Sequence, residues 1–281
     1  MDISYVVDGE IVCVVADSDQ EFLRGEDEVL AHRFHDVTMN SDWRNEGFEI
    51  ISLGENSGFL ELALSVEKMV KEAIEKVFPE KDLTGFSLEQ YHNYVTINEH
   101  ADSLDKQIKR FFWQDLQFDD APIIHAIEEE VGVKLGYSPK GSEEPHWIIV
   151  RVNMPGSTSY NPVHKDVYEE FDAVGVCPEM INAWIPICGV NHRAGLSIAP
   201  GSHLIPESQI LRTKAGSIMN GNKYFVNCIK SWGDDTGLQT VFPAEGEMLV
   251  FSSHLIHGLG RNMNSDTTRV ALEFRLHTVG C

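Results

Sequence analysis

The sequence predicts a mainly β protein with helical additions, built as one domain of 281 residues. Three observations carry this. Residues 3–16 form two β-branched runs joined by Asp8-Gly9, a dipeptide that favours the tight turn of a β-hairpin. Between residues 59 and 131 apolar side chains recur at helical spacing. From about residue 141 the texture changes to strands, with 146–154, 180–188, 246–251 and 269–276 either alternating or apolar throughout.

In chain order, the hairpin is expected at the edge of a sheet or packed against one. Residues 17–55 are acidic and mixed; only a helix over 26–32 is predicted there, and His32 and His35 read as surface histidines. Residues 59–78 place apolar side chains on one face and Glu/Lys pairs on the other, and Pro79 ends the helix. Ser87-Leu88-Glu89-Gln90 has the form of a capping box, so a second helix is expected over 87–95, with further helices over 103–112 and 121–131. Lys106, Lys109 and Arg110 make a basic stripe suited to salt bridges.

Residues 1–140 thus read as a hairpin and helical support region and 141–281 as the β core. Residues 167–172 read as a solvated loop whose carboxylates are available as spare ligands. His203 follows the turn Pro200-Gly201-Ser202 and reads as structural. The long segment 204–235 is expected to act as a lid or binding insertion.

Composition narrows the function. Lys+Arg number 22 against 44 Asp+Glu, a net charge of −22, which argues against a nucleic-acid or anionic-membrane partner. Such a charge suits solubility, and it also draws cationic or amine-bearing small molecules. The five cysteines are scattered, without a C-x-x-C, and read as free thiols in a reducing compartment. With no basic-then-apolar leader and no run of ~20 apolar residues, a cytoplasmic protein is expected.

The chemistry concentrates in two stretches. Asn161-Pro162-Val163-His164-Lys165-Asp166, entered as a strand, points His164 and Asp166 the same way and Lys165 away. An imidazole and a carboxylate then occupy adjacent corners of a metal, and a distant His supplies a third, leaving open positions as on a non-haem Fe(II) centre. The second stretch, 252–258, offers His254 and His257. Beyond it the strand 269–276 opens with Arg269, whose guanidinium suits bidentate binding of a carboxylate.

These pieces resemble the phytanoyl-CoA dioxygenase type of Fe(II)/2-oxoglutarate-dependent oxygenase. The matching residues run in order over the last half of the chain: Asn153-Met154-Pro155-Gly156-Ser157, Pro162-Val163-His164-Lys165-Asp166, Ala183-Trp184-Ile185-Pro186-Ile187, 194–203, His257-Gly258 and Arg269. The resemblance implies a double-stranded β-helix, or jelly roll, in a single oxygenase domain with the N-terminal helices packed on its major sheet. It also implies Fe(II), 2-oxoglutarate and O2 as cofactors. His257 is preferred over His254 as third ligand because it stands twelve residues before Arg269, close to the family interval. On the same ground Arg269 is expected at the far carboxylate of 2-oxoglutarate, with Arg275 or Lys109 as substitutes. Asn153 is expected to hydrogen-bond the cosubstrate and Trp184 to lie beside it.

The implied activity is oxidation of an unactivated C–H of a small molecule, with release of succinate and CO2. Halogenating relatives lack the carboxylate that Asp166 provides here, so hydroxylation, desaturation or ring closure is favoured. Two alternatives stay open: an inactive jelly roll serving as a small-ligand sensor, and a cupin-like metalloenzyme that does not use 2-oxoglutarate. Substrate and oligomeric state are not specified by the sequence.

Overall fold

The computed structural model describes residues 1–54, 58–111, 113–116, 118–138, 148–157, 160–233 and 237–279. Its centre is the ten-residue strand Arg269–Thr278, which pairs antiparallel with Ile148–Asn153 on one side and Met180–Cys188 on the other. Glu247–Ser252 and then Phe48–Ser52 extend this major sheet beyond Met180–Cys188.

Period two sorts these strands into two environments. Val270, Leu272, Phe274 and Leu276 face outward together with Ile181, Ala183, Ile185, Met248 and Val250. The helices Phe59–Val77 and Ala121–Val131 cover them, burying Leu62, Val66, Val70, Ile74, Ile123, Ile127 and Val131. The opposite side chains, among them Trp184, Leu249, Phe251 and Ala271, meet Ile198 and Val241 of the second sheet in a small inner core. Strands covered on both faces read as near-continuous apolar runs.

The second sheet has the order His257–Gly258, Leu196–Ile198, Gly237–Val241, Asp2–Val7, Glu10–Val15. The N-terminal hairpin is therefore its edge, turning at Asp8 (φ 51°) and Gly9 (φ 86°). The two sheets form the jelly roll, and the fold is mainly β with helical additions. Among the described residues no helix is long and apolar enough to cross a membrane, and Cys13, Cys177, Cys188 and Cys228 are free thiols. Of the strand expected over 146–154, Ile148–Asn153 is present; His146 and Trp147, like Cys281, lie outside the described residues.

Several local expectations change. The helix expected over 26–32 shrinks to Leu30–Arg33, because Gly25 and Glu28 spend their backbone groups on Glu207. Ser87 does not cap; Glu67 accepts the Leu88 N–H instead, leaving a 3₁₀ turn Leu88–Gln90 and the short helix Tyr91–Tyr94. The capping box forms one step later, between Thr96 and Glu99. The helix expected over 103–112 stops at Ile108, and Arg110–Phe111 pairs with Ile148–Asn153, so sheet pairing wins over helical spacing. Residues 168–174 form a helix rather than a loop, closed by Gly175 in the left-handed conformation.

The segment 204–235 is also no bare loop. It carries the strands Ile210–Thr213, Ser217–Met219, Asn222–Tyr224 and Ile229–Trp232. Ile210, Met219, Cys228, Ile229 and Trp232 are buried in a second apolar core beneath the hairpin residues Ile3, Tyr5, Val7, Val12 and Val14.

Candidate metal centre

The segment 161–166 does not form a strand. Its one ladder contact is a bridge between His164 and His257, with His164 N–H donating to His257 O at 2.8 Å and His257 N–H to His164 O at 3.0 Å. The pairing replaces the expected strand geometry and still sends His164 and Asp166 to one side. Asp166 N–H donates to Ser253 O at 3.2 Å, which fixes the residue against the same downstream loop.

The three side chains converge. His164 Nε2 lies 3.5 Å from Asp166 Oδ1, His257 Nε2 lies 3.5 Å from Asp166 Oδ2, and one ligand atom from each falls within 4.8 Å of the others. Each imidazole contacts the carbonyl two residues upstream through Nδ1, His164 to Pro162 O at 2.7 Å and His257 to Leu255 O at 3.0 Å. That contact places the ring proton on Nδ1 and turns the Nε2 lone pair inward. All three residues are buried. Burial and the neighbouring His164 push His257 down to about 4, so it is neutral and able to donate its lone pair near pH 7.

Asp166 is held by groups that the sequence reading did not place there. Asn182 Nδ2 donates to Oδ2 at 2.7 Å and Arg275 Nη2 to Oδ1 at 2.5 Å. Burial alone favours the neutral acid, but Arg275 and the two imidazoles outweigh it and hold the carboxyl well below its usual range. Arg275 thus serves Asp166, not a cosubstrate. The signal was available: Arg269, Glu273 and Arg275 share one face of a strand, as do Asn182 and Trp184. Lys165, predicted to point away, is buried and pairs with Glu207 at 2.9 Å, while the Tyr168 hydroxyl donates to the same carboxylate at 2.6 Å.

Arg269 faces the same cavity and is buried. Its Nη2 donates to Asn153 Oδ1 and, at 2.9 Å, to Gly260 O, and the guanidinium carbon sits 5.6 Å above the Trp184 ring. Its Nε has no partner among the described residues, and no carboxylate there pairs with it. Burial and the nearby Arg151 push it down to about 10. A buried guanidinium on the cavity wall that makes no salt bridge among the described residues suits an incoming carboxylate. Asn153 and Trp184 contact Arg269 itself, so they orient the guanidinium.

The remaining candidates separate from the cluster. His254 is buried, its Nδ1 is unpartnered, and burial with Lys165 and His203 nearby pushes it down to about 3; it does not join the three ligand atoms. His203 Nε2 contacts Arg44 O at 2.8 Å in a structural role. Lys109 lines the cavity from the side of the short helix Asp105–Ile108.

Known structures share this fold. AviO1 from Streptomyces viridochromogenes Tue57 superposes with a TM-score of 0.50 at 14% identity, over 92% of this chain and 98% of its own. EctD from S. alaskensis with bound Fe gives a TM-score of 0.51 at 12% identity, over 94% and 83%. The same enzyme with 2-oxoglutarate and 5-hydroxyectoine gives 0.50 at 11%, over 95% and 86%. Among curated proteins none matches the sequence. The sequence profile of the phytanoyl-CoA dioxygenase (PhyH) family matches residues 68–271, a span that contains the His164, Asp166 and His257 cluster and Arg269. The chain therefore belongs to the phytanoyl-CoA dioxygenase family.

Proposed function

We propose that this protein is a non-haem Fe(II)- and 2-oxoglutarate-dependent dioxygenase that oxidises an unactivated C–H of a small molecule, releasing succinate and CO2. The observation that carries the reading is the convergence of two Nε2 lone pairs and one carboxylate beside a buried guanidinium that makes no salt bridge among the described residues. His164, Asp166 and His257 would hold Fe(II) on one face, the donor set that leaves positions free for a cosubstrate and O2. Arg269 would receive the carboxylate of 2-oxoglutarate remote from the metal. When bound, the metal and cosubstrate supply the oxidising chemistry, and the protein supplies geometry and exclusion of water. EctD, which has a similar fold, has been crystallised with Fe and with 2-oxoglutarate.

Each residue then has a stated task. Pro162 O and Leu255 O keep both ring protons on Nδ1, so the metal-facing nitrogens stay unprotonated. Asn182 and Arg275 hold the Asp166 carboxylate ionised and in one rotamer. Asn153, Gly260 O and the Trp184 face fix the position of the Arg269 guanidinium on the cavity wall.

The test is anaerobic reconstitution of the protein with Fe(II) and 2-oxoglutarate, looking for the weak visible charge-transfer band. The band should form in the wild type and be lost in the Asp166→Ala, His257→Ala double variant. Its absence from folded wild type, or its persistence in the double variant, overturns the assignment.

A further inference from the structure

The cavity that opens onto the His164 and His257 side has a volume of about 320 Å³, near the small end of enzyme pockets. It must also accommodate the cosubstrate, so the enclosed space left for a substrate is smaller still. Its wall is charged in a chain whose overall balance is strongly acidic. Apart from Arg269 and the histidines, the charged side chains lining it among the described residues are Asp105, Lys109, Arg151, Lys223 and Glu273.

These groups are graded by depth. Lys223, on the strand Asn222–Tyr224, is exposed and has no ion-pair partner among the described residues. Lys109 is 41% exposed and, among the described residues, its one ion pair is a 3.4 Å contact with Asp105. Deeper, Glu273 is 16% exposed and receives Arg151 in bidentate fashion, from Nε at 2.8 Å and Nη2 at 3.0 Å. Burial opposes its ionisation, but Arg151 outweighs burial and keeps it charged. Each Glu273 oxygen retains a lone pair after receiving Arg151. A buried ion pair on a cavity wall is costly unless something polar meets it, and an apolar chain lying there would strand both charges.

We propose that the substrate is a small amino-acid-like zwitterion, its carboxylate received by Lys109 and Lys223 at the cavity mouth and its amine donating to Glu273 deeper in. The assignment rests on the oxygenase reading above and narrows it. The two lysines come from separate parts of the chain, the helical region and the 204–235 insertion. The insertion therefore contributes a recognition group while remaining a packed part of the fold.

The test uses the full-length protein loaded with Fe(II) and saturated with 2-oxoglutarate, reading succinate release. The probes are the twenty proteinogenic L-amino acids, the amines that correspond to them without the carboxylate, the corresponding 2-hydroxy acids, and octanoyl-coenzyme A. At least one amino acid should raise succinate release tenfold or more over the substrate-free rate, with little response to its amine or hydroxy-acid counterpart. Lys109→Met and Lys223→Met should each raise KM for that amino acid about tenfold, with most of the loss in KM and little in kcat. Both lysines are solvent-accessible, so these variants fold. Glu273→Gln, which keeps a hydrogen-bonding partner for Arg151, should narrow the preference for the amino acid over its hydroxy acid. Stimulation by octanoyl-coenzyme A alone, or by no amino acid, overturns the proposal, as does a Lys109→Met effect confined to the 2-oxoglutarate requirement. The charge-transfer band, recorded on the same samples, separates the two failures. If the band forms without an amino-acid response, only the substrate class falls; if it does not form, the oxygenase reading falls and takes this one with it.

Discussion

His164 and His257, 93 positions apart in the sequence, exchange both of their backbone hydrogen bonds and hold their rings tilted at 47° to one another with centroids 4.3 Å apart. The bridge links two segments through main-chain atoms alone. Replacing either imidazole therefore leaves the scaffold of the centre in place, and side-chain variants report on the side chains.

The Asn182 amide is the neutral anchor of Asp166. Asn182→Val keeps the strand and most of the volume but removes the hydrogen bond. Groups that orient a ligand are typically worth 10–100-fold in metal affinity, so Fe(II) binding should weaken by about that factor. Competition with a fluorescent chelator measures it, and an unchanged affinity would show that Arg275 alone orients the carboxylate.

Arg269→Lys keeps a cation but loses the planar fork. The 2-oxoglutarate concentration giving half-maximal uncoupled turnover should rise about 100-fold, the scale of breaking a buried charged pair. A requirement that stays put would move the role to Lys109, because Arg275 is committed to Asp166.

Lys165 lies between the two ligands in sequence, and its ammonium is fully buried against Glu207. Lys165→Met leaves that carboxylate buried with only the Tyr168 hydroxyl, at a cost of about 3–5 kcal/mol. Adding Glu207→Gln should recover much of the loss. Urea denaturation of the four members of the cycle decides it; additive losses would mean that the pair is not coupled.

His254 gives the fold a pH dependence. Burial holds it neutral down to about 3 in the folded protein, whereas an unfolded chain protonates a histidine near 6.5. The unfolded state therefore binds the extra proton first. The contribution is fully present above pH 6.5 and is lost as pH falls from there toward 3, at up to about 1.4 kcal/mol per pH unit. In metal-free protein His254→Leu should flatten the decline of the urea midpoint between pH 6.5 and 4.5. Identical slopes in wild type and variant would refute it.

Much of this was legible in the residues because the signals were local and periodic. Asp8-Gly9 announces its hairpin, the apolar period of 59–77 its helix, and the alternation after Arg269 its two-faced strand. The extent of the helices at 30–33 and 105–108 was not legible, because it is set by distant competitors for the same backbone groups: Glu207 in one case and the Ile148–Asn153 edge in the other. The packing of 204–235 was hidden for a related reason, since its short strands pair with Phe22–Leu23 and with each other and bury their apolar side chains under the N-terminal hairpin. At the centre, the approximate direction of His164 and Asp166 followed from alternation even though the strand did not form. The buried partners Glu207 and Asn182 have no motif of their own.

The strand Arg269–Thr278 carries oil on its even positions and Arg269, Glu273 and Arg275 on its odd ones. Sliding it by a single residue would drive three charges under the helices and line the reaction chamber with leucine and valine. A lone insertion inside the strand would therefore turn this part of the protein inside out.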